Sequence, residues 1–156
     1  MTACVIVNLF NIFPMEINYW AVLLCGIVSM VVGFVWYGPL FGKKWAEVIG
    51  VKMTDAEECK KMQKAAGPLY GLQFLLTLFQ AYVLAGFLAA LRVNEAYNPP
   101  LQVALLVWAA FVMPIVAGNS MWNNDPKKVA RTKFLLGAGY QLILFILFGL
   151  ILGMWR

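Results

Sequence analysis

Four long apolar runs, separated by two lysine-rich stretches, are the feature that most constrains the fold of this chain. An α-helix needs about 20 mostly apolar residues to cross roughly 30 Å of hydrocarbon, and each run has that length. Of the 156 residues, 63% are hydrophobic and only 12% are charged, a composition that excludes a water-soluble fold. The sequence therefore predicts an all-α integral membrane protein, a four-helix transmembrane bundle with spans at 17–38, 69–91, 101–121 and 134–155.

A transmembrane β-barrel does not fit these runs. Barrel strands are segments of about ten residues in which polar and apolar side chains alternate, whereas these runs are apolar on all sides and twice as long. The first thirteen residues carry no Lys or Arg, and the apolar run after them is long enough to span. We therefore expect no cleaved signal peptide ahead of the first span.

The distribution of positive charge predicts the orientation. Ten of the twelve Lys and Arg residues lie in 39–68 and 122–133, on the same side of the membrane, and only Arg92 and Arg156 lie on the other. Short loops rich in Lys and Arg stay on the cytoplasmic side, so both termini are expected outside the cytoplasm. Anionic lipid headgroups are the expected partners of these lysines, and nucleic acid is not.

The first lysine-rich loop contains a helix signature. Thr54 and Glu57 form a capping box, and Gly67 with Pro68 forms a stop signal, which together predict a short helix of about twelve residues. Its lysines and its small apolar residues fall roughly on opposite sides. We expect an interfacial helix that rests on the inner leaflet, and a docking surface for an acidic partner is the alternative.

Polar residues within the apolar runs are the candidates for function, because an unpaired polar group in hydrocarbon costs free energy. They act either as interhelical hydrogen-bonding groups or as the lining of a polar pathway for water, an ion or a small solute. The candidates are Gln73, Thr77, Gln80, Asn119 and Gln141.

Small residues mark places where helices approach closely, either within one chain or between subunits. The candidates for helix packing or oligomer contacts are Gly26, Ser29, Gly33, Gly149 and Gly153.

The residue types required for most catalysis are absent or dispersed. The chain has no His, its acidic residues lie at span ends or in loops, and its three cysteines are scattered without a CxxC pair. This pattern offers no zinc site, no redox pair and no buried carboxylate to relay a proton. We expect a protein that is not an enzyme and that holds no cofactor or metal.

Three segments carry a resemblance to a known family: 34–45 (FVWYGPLFGKKW), 137–140 (GAGY) and 149–155 (GLILGMW). They resemble the domain of unknown function 1761 family of small, mostly bacterial membrane proteins with four predicted spans. The resemblance covers 15–156 as one domain and leaves 1–14 as an N-terminal extension. It implies the fold and the bacterial inner membrane, but no activity. The residues that carry the motif are Trp36, Tyr37, Gly38, Pro39, Gly42, Trp45, Gly139, Tyr140 and Trp155.

Three functions are compatible with these residues. The first is a non-enzymatic membrane subunit that self-assembles or belongs to a larger complex, because four short spans enclose little volume. The second is a small channel or facilitator with an uncharged polar pathway. The third is an intramembrane enzyme, or a binder of a lipid or quinone, for which the tyrosines, Cys59 and the loop carboxylates are the available groups.

Overall fold

The computed structural model describes residues 17–50, 56–91 and 99–155 of the chain, without the side chains of 56–66. These residues are almost entirely helical, and no strand occurs among them. In chain order the elements are α1 (Tyr19–Val35), a first π-helical turn (Trp36–Leu40), α2 (Gly42–Ile49), α3 (Ala56–Ala90), α4 (Pro100–Val107), a second π-helical turn (Trp108–Val112), α5 (Met113–Met121) and α6 (Lys127–Met154).

Four of the helical stretches are long and apolar enough to cross a membrane, as in a multi-pass membrane protein. We number them span 1 to span 4: Tyr19–Leu40, Gly67–Ala90, Pro100–Met121 and Lys127–Met154. The predicted number of helices long and apolar enough to span is confirmed. The bounds of the first three agree with the prediction to within two residues.

The fourth span begins earlier than predicted, at Lys127 instead of residue 134. Hydropathy placed its basic start in a loop, but Lys and Arg are good helix formers. Pro126 ends the preceding loop at the N-cap, and Lys133 forms a 2.6 Å ion pair with Asp125 across this first part of the helix. The basic segment is therefore the beginning of α6.

The helix expected to stop at Gly67 and Pro68 does not stop there. It continues as α3 to Ala90, with Pro68 inside it, so the prediction of a separate short helix is wrong in its end point. A proline in a helix removes one hydrogen bond, whereas ending the helix would leave several backbone groups unpaired. Thr54 of the predicted capping box and the N-terminal extension lie outside the described residues, as does the side chain of Glu57.

A short helix that we did not predict, α2, follows span 1. Pro39 provides no N–H within the first π-helical turn, and the N–H of Phe41 instead bonds to the carbonyl of Trp36 at 3.0 Å. A Cβ at position 42 would lie 2.9 Å from the carbonyl oxygen of Tyr37, so the turn requires Gly42. Gly50, at φ 75°, ends α2 in the left-handed conformation that favours glycine.

The second π-helical turn lies in the middle of span 3, directly before Pro114. Here the N–H of Met113 bonds to the carbonyl of Trp108, one residue further back than in an α-helix. Proline has no N–H for the preceding turn, and a π-helical turn is one way in which a helix accommodates this loss. The irregularity keeps span 3 continuous through the apolar region.

Neighbouring spans run in opposite directions, and the bundle is closed at the end where span 1 begins. Tyr19 stacks on Tyr82 with ring centroids 6.4 Å apart, and a Cβ on Gly153 would lie 2.8 Å from the Pro100 ring. The core lies in this half of the bundle. Its buried residues are Ala21, Val22, Cys25, Ala81, Leu84, Leu88, Val103, Ala104, Leu144, Phe145, Phe148 and Leu152.

The bundle opens at the opposite end, which carries α2 and the start of α6. We call this the lysine-side end. Along its whole length α6 packs mainly against α1, α4 and α5, and more weakly against α2 and α3. Residues 67–73 of α3 are all exposed, and α5 contains no buried residue. Spans 1 and 3 are therefore packed against span 4 at the lysine-side end, whereas the first part of span 2 is exposed.

Close contact at Gly149 is expected to be essential for the closed half. A Cβ there would lie 2.9 Å from the Ala104 Cβ and 3.2 Å from the Leu101 Cα, and neither atom moves without a shift of span 3. We predict that Gly149→Ala lowers the free energy of unfolding in detergent micelles by about 1–3 kcal/mol. Gly118→Ala is the control, because a Cβ there meets nothing within 4 Å. Equal stability of the two variants would contradict this packing.

Candidate functional site

Five aromatic residues lie close together at the lysine-side end, and we call them the aromatic cluster. The first π-helical turn, the residue after it, α2 and α6 each contribute, and every member is half-buried. The members are Trp36, Tyr37, Phe41, Trp45 and Tyr140.

Ring contacts connect the members of the cluster in two groups, one around Tyr37 and one formed by Trp36 and Phe41. The centroid of the Tyr37 ring lies 5.3 Å from that of Tyr140 and 5.1 Å from that of Trp45, with the Trp45 contact edge-on. Trp36 lies 4.6 Å from Phe41 in a tilted arrangement. Tilted and edge-on pairs are the favoured geometries for aromatic rings, and they stabilise a packed site beyond the area that they bury.

Two hydrogen bonds join spans 1 and 4 within the cluster. The indole Nε1 of Trp36 donates to the carbonyl of Leu136 at 3.2 Å, and the hydroxyl of Tyr140 donates to the carbonyl of Ser29 at 3.3 Å. The hydroxyl of Ser29 itself donates to the carbonyl of Gly26 at 2.7 Å. The polar tips of Trp36 and Tyr140 are thus both hydrogen-bonded within the protein.

Two glycines allow the rings to approach the facing helices. A Cβ on Gly33 would lie 3.2 Å from the Tyr140 hydroxyl oxygen, and a Cβ on Gly139 would lie 3.2 Å from the Trp36 ring. Each glycine of one span therefore lies under an aromatic side chain of the other. This reciprocal arrangement explains why glycine occurs at both positions.

The remaining motif residues have separate places. Gly38 and Pro39 lie in the first π-helical turn, and Gly42 begins α2 under the Tyr37 carbonyl. Trp155 lies at the opposite end of the bundle and is half exposed. The structure brings together the other five of the nine motif residues, and Phe41 joins them, although it was not among the predicted site residues.

The small residues predicted as packing or oligomer contacts all make contacts inside the chain. Ser29 is buried, and a Cβ on Gly26 would lie 2.6 Å from Leu78. Gly33 faces Tyr140, as described above, and Gly149 and Gly153 face the start of span 3. These residues hold the four spans to one another.

Among the five candidate pathway residues, hydrogen bonds join Gln73 and Thr77 within the described part of the chain. Thr77 is buried and donates to the carbonyl of Gln73 in its own helix, while Gln73 itself is exposed and donates to the Thr77 hydroxyl at 3.3 Å. Gln80 is half-buried, and Asn119 is exposed near the end of α5. Gln141 places its side-chain oxygen in the interior without a hydrogen-bond partner.

Positive charge surrounds the lysine-side end. The Asp125 carboxylate is paired with Lys133, and Glu47 on α2 is the other acid described there. The cations with exposed side chains are Lys43, Lys44, Lys127, Lys128 and Arg131. Among the described residues, no group of three or more His, Cys, Asp or Glu lies close enough together to hold a metal ion.

Residues 20–153 match the family described as protein of unknown function (DUF1761). The chain belongs to this family. No curated protein and no solved structure matched the chain. Five of the nine motif residues thus lie in the aromatic cluster or directly against it. The cluster connects span 1, α2 and span 4.

The Tyr140 hydrogen bond provides a test of the cluster. Tyr140→Phe keeps the ring contacts but removes the bond to the Ser29 carbonyl, and we predict a loss of about 0.5–1.5 kcal/mol in the free energy of unfolding in micelles. Tyr70→Phe removes the same hydroxyl from a side chain that is 61% exposed, and it should leave stability unchanged. Equal losses in both variants would show that the Tyr140 bond does not join spans 1 and 4.

Proposed function

We propose that this DUF1761 protein is a non-enzymatic, multi-pass subunit of a membrane assembly, formed with copies of itself or with other membrane proteins. The assembly lies in the bacterial inner membrane, with both termini outside the cytoplasm. The observation that supports this most strongly is that span 2 leaves its own bundle at the lysine-side end.

The first part of span 2 is largely exposed among the described residues. Residues 67–73 are exposed, Leu75 and Leu76 are 62% and 55% exposed, and a Cβ on Gly67 or Gly71 would meet no atom within 4 Å. Further along the same helix, Thr77, Ala81 and Leu84 are buried in the core. The helix is therefore anchored at one end only, and its other half is available to a second protein.

Helices in a bilayer associate through close packing and interhelical hydrogen bonds, because lipid tails are as apolar as leucine. A rigid anchor next to a free helix half is a suitable arrangement for such association. The aromatic cluster provides the anchor, since its rings and hydrogen bonds hold spans 1 and 4 together at the end where span 2 is free. In this proposal the motif residues act through packing and not through chemistry.

The charges of the lysine-side end support the cytoplasmic orientation. α2 buries Gly42 and Ala46 and exposes Lys43 and Lys44, as a helix lying at the membrane surface does. The exposed cations at the start of α6 lie at the same end of the bundle. Anionic headgroups of the inner leaflet are their proposed partners.

The mass of the protein in its native lipid tests this proposal. We expect particles extracted directly into polymer-bounded nanodiscs to contain more than one polypeptide, as copies of this 17.4 kDa chain or as a reproducible complex with other membrane proteins. Native mass spectrometry gives the stoichiometry. A single chain per particle with no other polypeptide, at several protein-to-lipid ratios, would contradict the proposed function.

A small channel or facilitator is a second candidate function, and one observation favours it. The side-chain oxygen of Gln141 is buried without a partner, which is costly unless a water or a polar solute occupies the place next to it. The residue lies on span 4, which packs against more of the bundle than any other span. A polar solute would therefore pass along the central helix.

Flux in liposomes tests this second candidate. If Gln141 lines a pathway, Gln141→Leu should reduce the uptake of water or a small uncharged solute at least about tenfold, because the apolar side chain removes the polar partner. Gln102→Leu is the matched control, since Gln102 is exposed on the outside of span 3. Equal flux in the parent protein and in Gln141→Leu, or no flux in the parent protein, would reject the candidate.

A further inference from the structure

We infer that two copies of this chain pair in parallel along one face of span 2, the seam formed by Leu69, Gln73, Leu76, Gln80 and Val83. The inference rests on the proposed function and identifies its partner and its surface. The partner is a second copy of the same chain, and the contact is a helix pair within the membrane.

The seam follows a heptad pattern. Its residues are spaced alternately by four and by three, so Leu69, Leu76 and Val83 recur every seven residues and the two glutamines recur every seven residues between them. This 3.5-residue repeat keeps one face of a helix against a partner helix along its whole length.

The seam lies on the outer surface of the described bundle. Leu69 and Leu76 are 63% and 55% exposed, Gln73 is exposed, and Gln80 and Val83 are half-buried. A second stripe on the same helix, with the same alternating spacing, faces inward and is buried. That inner stripe consists of Thr77, Ala81, Leu84 and Leu88. Span 2 thus has one face for its own chain and one face without a partner.

The glutamines require a partner that lipid tails do not provide. Gln73 donates one bond to Thr77 of its own helix, and no hydrogen bond joins the Gln80 carboxamide to any other described residue. Gln80 lies in the middle of span 2, where an unpaired amide is most costly. A carboxamide carries both a donor and an acceptor, so a second glutamine at the same depth satisfies both groups.

The orientation in the membrane makes the pairing self-complementary. Every copy crosses in the same direction, so two copies related by a two-fold axis along the membrane normal place span 2 parallel to span 2. In a parallel pair, equivalent heptad positions face each other. Gln73 then meets its counterpart, as does Gln80, and these polar pairs also fix the register of the two helices.

The small residues predicted as oligomer contacts are not available for this role. Gly26, Gly33, Gly149 and Gly153 all face side chains of their own chain. Assembly through these residues would require the bundle to come apart. The seam is free without any rearrangement of the four spans.

Cysteine crosslinking in native membranes tests the seam. In a background with Cys4→Ser, Cys25→Ala and Cys59→Ser, we expect Leu76→Cys to form a disulfide-linked dimer under mild oxidation, because the two Cβ atoms face each other within bonding range. Leu75→Cys is the matched control. Leu75 lies one residue earlier on the same helix and is similarly exposed, at 62% compared with 55% for Leu76. It lies about 100° around the helix from Leu76 and so faces away from the seam.

The outcomes separate the seam from the proposed function. A crosslink at position 76 that clearly exceeds the crosslink at 75 supports the seam. Equal crosslinking at both positions, or none at 76, overturns it. If the native mass shows several polypeptides while position 76 stays uncrosslinked, the proposed function stands and the seam is wrong. A single chain per particle overturns both.

Removing one carboxamide tests the hydrogen-bonding part of the inference. Gln80→Leu should raise the dissociation constant of the dimer in micelles about fivefold, because the pair of amides across the two-fold axis is lost. Gln80→Asn retains an amide and should recover part of the affinity, whereas Gln102→Leu removes an exposed amide from span 3 and should change nothing. An unchanged dissociation constant for Gln80→Leu would overturn the role of the glutamines.

Discussion

The structure depends on one constraint: within hydrocarbon, every backbone N–H and C=O must be hydrogen-bonded inside the protein. At the start of span 2, α3 likewise continues through Pro68 instead of ending there, because one lost bond costs less than a helix end. The two π-helical turns follow from the same constraint, since each lies at or directly before a proline in a spanning segment. The chain tolerates irregular helix geometry, but it does not interrupt its helices.

The two ends of the bundle are held together in different ways. At the end where span 1 begins, small residues let the helices touch, and apolar side chains such as Leu144 and Phe148 fill the core. At the lysine-side end, rings and two hydrogen bonds join spans 1 and 4, and α5 of span 3 packs against span 4. Span 2 is packed at the first end and free at the second, and this asymmetry is the physical basis of the proposed assembly.

More of the fold than of the site could be predicted from the sequence. Hydropathy located the spans because the requirement for about 20 apolar residues is independent of tertiary contacts. Hydropathy misplaced the start of α6 because it does not measure the helix propensity of Lys127 and Lys128. It also missed α2, which only Gly50 and a few apolar positions indicated in the sequence. The contact between Tyr37 and Tyr140 joins residues about a hundred positions apart, and no local periodicity predicts such a pairing.

The central claim is that four helices cross a bilayer with alternating direction and with the lysine-side end in the cytoplasm. Labelling of single cysteines with a membrane-impermeant maleimide tests it most directly, with Asn123→Cys at one end of the bundle and Pro99→Cys at the other. We predict that Asn123→Cys reacts only in inside-out vesicles and that Pro99→Cys reacts only in right-side-out vesicles. Reaction of both positions from the same side would contradict the account.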